Sequence, residues 1–237
     1  MTTWQFAAIA IAVLAAGFVQ GSTGVGFALI TAPVIGLLAP SLLPVCVLVL
    51  MLPLNVYVLW RERGALDKPG AGWITLGRVA GTFGGLWVLL VLSASQLDIV
   101  VGLATIAAVV ATLVAPAFTP GRRAFLLSGL VTGVTETATG IGGPPLALVY
   151  QHQPVAVMRS TIAFCFLVGQ LVSLLVLLAA GRVGAPQMIA AAELLPMLLA
   201  GAVLSHAVHH RVESRFLRGF VLVFALGSSV LLLSRAL

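Results

Sequence analysis

Gly17-Phe18-Val19-Gln20-Gly21-Ser22-Thr23-Gly24-Val25-Gly26 returns, 116 positions later, as Gly133-Val134-Thr135-Glu136-Thr137-Ala138-Thr139-Gly140-Ile141-Gly142. The register pairs Gly17 with Gly133, Thr23 with Thr139, Gly24 with Gly140 and Gly26 with Gly142, and it sets Gln20 opposite Glu136. Both stretches lie inside long apolar segments. Glycine-broken hydrophobic segments at equivalent points of two halves are the sequence mark of a binding site in a secondary transporter.

Composition fixes the solvent. Of the 237 residues 61 % are hydrophobic and 8 % charged, whereas soluble domains are about half apolar and a quarter charged. A soluble fold cannot bury that apolar excess, so a bilayer is required. The net charge of +6 does not indicate nucleic acid, because the arginines lie in short loops between apolar runs. The start, MTTWQFAAIA, lacks the basic region of a cleaved signal peptide. Cys46 and Cys165 fall within apolar runs without CxxC spacing and read as small buried hydrophobes.

Six runs read as ordinary spanning helices: Leu42–Trp60, Ala71–Leu92, Leu97–Ala115, Val157–Ala179, Gln187–Ala207 and Phe216–Leu233. Trp4–Ala39 is too long for one crossing and is interrupted by Gly21, Gly24 and Gly26, which predicts a hairpin of two shorter helices. Ala124–Tyr150, broken between Thr135 and Pro145, predicts a second, re-entrant hairpin. With both hairpins returning to their own side, one face receives Arg61, Arg63, Lys68, Arg122, Arg123, Arg159, Arg211, Arg215 and Arg218, and the other only Arg182 and Arg235. That asymmetry satisfies the positive-inside rule better than single crossings do, and it leaves both termini periplasmic. The expected fold is an all-α polytopic membrane protein of two inverted-topology repeats, residues 1–118 and 119–237. Each repeat is a broken-helix hairpin plus three transmembrane helices, and the hairpin tips are expected to meet at the midplane around one anion pocket.

The residues able to hold an anion follow from the breaks. The half-helix after each break offers free N–H groups and a positive dipole end. Glycines at Gly24, Gly26, Gly140, Gly142 and Gly143 let a ligand approach the backbone, and Ser22, Thr23, Thr137 and Thr139 supply hydroxyls. Close helix packing is the alternative role for these glycines. Pro144 and Pro145 suit a first helical turn. Arg78 and Arg159 can clasp a planar oxyanion, with snorkelling to the interface as the alternative for Arg159. Gln20, Asn55 and Gln170 are neutral polar candidates for the same cavity or for interhelical hydrogen bonds. Glu136, an acid at membrane depth, is the proton-coupling candidate; a fixed pairing with broken-helix N–H groups or an arginine is its alternative. Glu193 is the other intramembrane acid and receives no role. His206, His209 and His210 stand at a helix end without a carboxylate or cysteine partner, so no metal site and no cofactor is called for. Trp4, Trp60, Trp73 and Tyr150 read as interface anchors.

GFVQGSTGVGFALITAP, its partner GLVTGVTETATGIGGPPLALVY, the following MRSTIAF and the closing glycine-spaced helices with their basic turn resemble the TauE/SafE sulfite exporter family, also called the toluene sulfonate uptake permeases. Each motif is short, and their order and duplication make the likeness specific over nearly the whole chain. The resemblance implies a multi-pass carrier of the bacterial inner membrane that takes sulfite, sulfoacetate or other organosulfonates, commonly outward. It does not imply an enzyme. Phe27 stands where many relatives have a third glycine, and Gln20 opposite Glu136 leaves at most one titratable group at the two tips. Another small organic anion, a metal ion, or less readily a membrane-embedded enzyme or an accessory subunit are the competing readings; two acids without a cysteine–histidine cage count against a divalent cation.

Overall fold

The computed structural model describes residues 2–62, 64–114, 119–208 and scattered positions between 219 and 234. Among the described residues the chain is all helical: α1 Thr3–Thr23, α2 Phe27–Leu38, a 3₁₀ turn Pro40–Leu42, α3 Val45–Arg61, α4 Lys68–Val91, α5 Ala94–Val114, α6 Arg122–Thr139, α7 Gly143–Tyr150, α8 Val155–Ala179 and α9 Ala185–Val208. Four of these helices, α1, α4, α8 and α9, are long and apolar enough to cross a membrane. The expected spans fall on α3, α4, α5, α8 and α9 within a few residues; the Phe216–Leu233 span lies largely outside the described residues.

Both long segments break where the glycines stand. At the end of α1, Gly24 adopts the left-handed conformation with φ 85°, and its N–H donates to the Gln20 carbonyl at 2.7 Å. At the end of α6, Gly140 has φ 83° and donates to the Glu136 carbonyl, also at 2.7 Å. Side chains with a Cβ avoid this region, so glycine stops each helix at that residue. Each break is finished alike by a threonine. Thr23 Oγ1 donates to the Val19 carbonyl at 3.0 Å and Thr139 Oγ1 to that of Thr135 at 2.7 Å. The same oxygens accept from the N–H groups of Val25 and Ile141. The chain then folds back in both places. Gln5 Nε2 near the start of α1 donates to the Leu38 carbonyl at the end of α2, at 3.1 Å. Phe125 near the start of α6 stacks on Tyr150 at the end of α7, with ring centroids 5.5 Å apart.

Glycine also sets the helix packing. α4 and α6 form the most extensive contact in the fold, and α1 lies along α9 in the same manner. On α4, Gly77, Gly81 and Gly85 recur every four residues, and a Cβ on them would lie 2.1, 2.2 and 2.5 Å from the carbonyl oxygens of Leu126, Leu130 and Val134. Gly129 and Gly133 of α6 answer against the carbonyls of Ile74 and Arg78. Backbones this close are the small-residue packing of membrane helices, where van der Waals contact replaces a hydrophobic driving force. Gly17, Gly21 and Gly201 do the same between α1 and α9. Gly17, Gly21 and Gly133 of the repeated stretches therefore serve packing, not ligand approach. Gly81→Val is expected to force α4 from α6 and to destabilise the protein by about 1–3 kcal/mol or more, the cost of overpacking. A lowered melting temperature of the purified protein checks it; an unchanged one would mean the helices are not this close.

α3 and α8 cross against one another and against α4 and α9. Leu76, Phe83, Trp87, Leu171, Leu175 and Leu178 point outward, which in a bilayer meets lipid. Trp4 and Trp60 are exposed, and Trp73 lies under the Arg122 guanidinium. Tyr150 differs from the expectation. It is buried, and its hydroxyl donates to Asp67 Oδ2 at 2.8 Å, tying the end of α7 to the start of α4. A phenol that finds a carboxylate partner can be buried instead of standing at the interface.

Candidate functional site

The predicted residues do not gather in one pocket. They separate along α8. Near its start, Arg159 packs against Gly24: a Cβ there would lie 2.5 Å from Arg159 Cγ. Farther on, Ser173 Oγ meets Thr137 Oγ1 at 2.8 Å. Positions 159 and 173 are 14 residues apart, about 21 Å of α-helix. α3 gives the same interval, since Arg61 reaches the Gly21 carbonyl at 3.3 Å while Val47 packs on Gly140. The two tips thus lie at opposite ends of the bundle, contrary to the expectation of a shared midplane pocket. The reason is length: α1 has 21 residues and α6 has 18, about 31 and 27 Å of helix, so each first arm runs nearly the full membrane thickness before it breaks.

The first tip is tied to α3 and α8 by two arginines. Arg159 Nη2 donates to the Ser22 carbonyl, Arg159 Nη1 lies 3.5 Å from Glu62 Oε1, and Arg61 Nη2 donates to the Gly21 carbonyl. These are carbonyls of the last turn of α1, where cations are favoured. Arg159 is thus held by the end of α1 and by Glu62, with its Nε buried and without a partner among the described residues. Ser22 Oγ is engaged with the Phe18 carbonyl and with Ser205 Oγ at 3.0 Å. Gln20 Oε1 accepts from the N–H of Phe27 at 3.0 Å and so occupies one of the donors at the start of α2. Gly26 has φ 121° and needs to be glycine for that reason. Thr23 and Thr139 turn their hydroxyl protons to nearby backbone carbonyls, Thr23 to those of Val19 and Val25 and Thr139 to that of Thr135.

A second group runs from the last turn of α6, beside the second break, to the middle of α4. Arg78 of α4 and Glu136 of α6 are fully buried, and Arg78 Nη2 donates to Glu136 Oε2 in a salt bridge. Gln170 Nε2 of α8 donates to Glu136 Oε1 at 2.9 Å, and Asn55 Nδ2 of α3 donates to Gln170 Oε1 at 3.0 Å. Four helices contribute one polar side chain each to this chain of hydrogen bonds. Gly142 closes over it, since a Cβ there would stand 2.9 Å from Glu136 Cβ, and Thr132 Oγ1 donates to the Gly142 carbonyl at 3.2 Å. Thr137 adjoins through Ser173 and Thr82, and Thr82 donates to the Arg78 carbonyl at 2.9 Å. Gly140 abuts Val47 outside this group, and a Cβ on Gly143 would meet open space. Glu193 is exposed on α9 and takes no part. His206 lies in α9, its side chain outside the description; His209 and His210 lie outside the described residues.

The guanidinium is only partly used. Arg78 Nε and Nη1 are buried and donate to nothing among the described residues, and Asn55 Oδ1 is a buried acceptor in the same condition. The Phe166 ring lies 5.1 Å from Arg78 Cζ. Gly169 makes the space, since a Cβ there would lie 2.1 Å from Nε, 2.3 Å from Cζ and 2.4 Å from Nη2. Phe166, Gly169, Gln170 and Ser173 share one face of α8 at spacings of three and four. That spacing was the available signal for Gly169 and Ser173, which the sequence reading passed over. Buried donors on an always-charged group are costly unless a ligand or water completes them, and Arg78 keeps two such donors unpartnered among the described residues.

A family model for sulfite exporter TauE/SafE matches residues 9–232. The chain belongs to the TauE/SafE sulfite exporter family. That match covers nearly the whole chain, including both broken hairpins, and it makes this a transport protein of the membrane, not an enzyme. A TauE/SafE chain handles a small anion such as sulfite, the kind of ligand that a buried guanidinium receives. No curated protein and no solved structure matched the chain.

Proposed function

We propose that this protein carries a small sulfur-containing anion (sulfite, sulfoacetate or another organosulfonate) outward across the bacterial inner membrane by alternating access. The observation that carries the reading is Arg78, sealed at mid-bundle with Nε and Nη1 unpartnered while Nη2 is held by Glu136. A sulfur oxyanion presents the acceptors those donors lack. Glu136, Gln170 and Asn55 complete the site, with Thr137 and Gly142 beside it. Gln20, Ser22, Thr23, Gly24, Gly26, Thr139, Gly140, Gly143 and Arg159 shape the hairpins that carry it.

Residues 1–118 and 119–237 act as inverted repeats in this reading. Support comes from the matched breaks at Gly24 and Gly140 and from exchange of packing partners: α1 of the first half lies on α9 of the second, and α6 of the second on α4 of the first. α3 and α8, which occupy equivalent places in the two halves, pack on each other at the centre. The end bearing Arg61, Lys68, Arg122 and Arg159 is cytoplasmic and both termini are periplasmic, by the charge asymmetry of the loops.

The Arg78–Glu136 pair also supplies a coupling scheme. An anion that approaches Nε and Nη1 adds a negative charge to a neutral buried pair, which is unfavourable in low dielectric. A proton on Glu136 removes the excess, so anion and proton load together and leave together. With an alkanesulfonate, whose own charge is constant near neutrality, uptake into proteoliposomes is expected to rise as pH falls on the loading side. Glu136→Gln is expected to transport with a flat pH profile. A Glu136→Gln profile as steep as that of the unaltered protein would remove this residue from coupling.

A further inference from the structure

We propose that Asn55 sets substrate choice by requiring a hydrogen-bond donor on the transported anion, so that hydroxyl- or amino-bearing sulfonate monoanions are preferred to unsubstituted sulfonates and to dianions such as sulfoacetate. The inference rests on the anion site at Arg78.

The argument follows the direction of the hydrogen bonds. The ionised Glu136 carboxylate only accepts, and a proton taken up on Oε2 still leaves Oε1 an acceptor, so Glu136 Oε1 fixes Gln170 with its amide nitrogen toward the acid. That turns Gln170 Oε1 toward Asn55, which must answer with its own amide nitrogen. Flipping Gln170 would set oxygen against carboxylate, and flipping Asn55 would set oxygen against oxygen. The Asn55 carbonyl oxygen is therefore left facing away from the network. It is buried, Asn55 being 1 % exposed, and it accepts from no described group. A buried amide acceptor without a donor is unfavourable by about 1–3 kcal/mol, a cost that a ligand can lift only by bringing a donor. The Arg78 end demands the opposite chemistry, because Nε and Nη1 need acceptors. One network thus presents donors at one end and an acceptor at the other. A ligand that satisfies both carries one anionic oxyanion head and one O–H or N–H of its own. The carboxylate of sulfoacetate, its second anionic group, would place a further acceptor, and a further charge, where a donor is needed.

Sites built to hydrogen-bond a ligand hydroxyl discriminate strongly against the analogue that lacks it, since the buried partner is then unpaired. The test is calorimetric binding of ethanesulfonate and 2-hydroxyethanesulfonate to the purified full chain in detergent. The hydroxylated ligand is expected to bind at least about tenfold more tightly. Asn55→Leu removes the acceptor and is expected to erase that difference. Asn55→Ala, a smaller change that also removes the acceptor, gives the same readout should the leucine variant not fold. Equal affinities in the unaltered protein, or a preference that survives both substitutions, would overturn the role of Asn55 while leaving the anion site standing. Failure of both sulfonates to bind the unaltered protein would overturn the site at Arg78 and this inference with it.

Discussion

Gly169→Ala is expected to abolish transport, although it adds a single methyl group. The new Cβ would stand 2.1 Å from Arg78 Nε and 2.3 Å from Cζ, far inside van der Waals contact. The Phe166 ring flanks the same guanidinium, and its Nη2 is tied to Glu136. The arginine must therefore leave its place and release Glu136, which remains buried among α3, α6 and α8 as an unpaired acid. Loss of a buried ion pair by removal of one partner costs about 3–5 kcal/mol, and displacement of Arg78 has the same consequence. Gly169→Ala should thus lower the melting temperature and eliminate sulfonate binding together. Transport at the unaltered rate would mean that the guanidinium does not occupy the space above Gly169.

The second large effect separates structure from function at the ion pair itself. Arg78→Met strands Glu136, and Glu136→Met strands Arg78, so each single variant is expected to lose about 3–5 kcal/mol. The double variant replaces the pair with apolar side chains of similar length. Such replacements are often neutral or stabilising, so Arg78→Met/Glu136→Met is expected to recover most of the lost stability. It is not expected to recover transport, because the anion's partner is gone. Thermal unfolding of the three variants in detergent, set beside transport in proteoliposomes, reads both quantities. A double variant that folds and still carries the anion would assign the pair a purely structural role.

Much of the fold was legible because glycine and apolar length leave few options in a bilayer. Gly24 and Gly140 announced the two breaks, since only glycine holds φ near 85° at no steric cost. The excess of arginine on one set of loops announced the hairpins. The placement of the tips was not legible. Arm lengths of 21 and 18 residues carry each tip to the far end of the bundle, and periodic apolar sequence does not mark where along a helix its neighbours meet. Thr23 and Thr139 misled for a related reason: a hydroxyl beside a broken helix serves the nearest orphaned backbone group before any ligand. Arg78 and Glu136 were each conspicuous as charges at membrane depth. Their pairing was not, because 58 positions separate them and a heavily glycine-lined contact between α4 and α6 brings them together. Gly169 had only its spacing to Gln170 and Ser173 to mark it. One glycine among many in an apolar helix gives no sign of the side chain that fills its missing Cβ.

The most direct test is a structure of the protein in lipid determined with a bound alkanesulfonate. A sulfonate with its oxygens about 3 Å from Arg78 Nε and Nη1 is the predicted result. A sulfonate seated instead at Gly24 beside Arg159, with both Arg78 nitrogens still unpartnered, would contradict it.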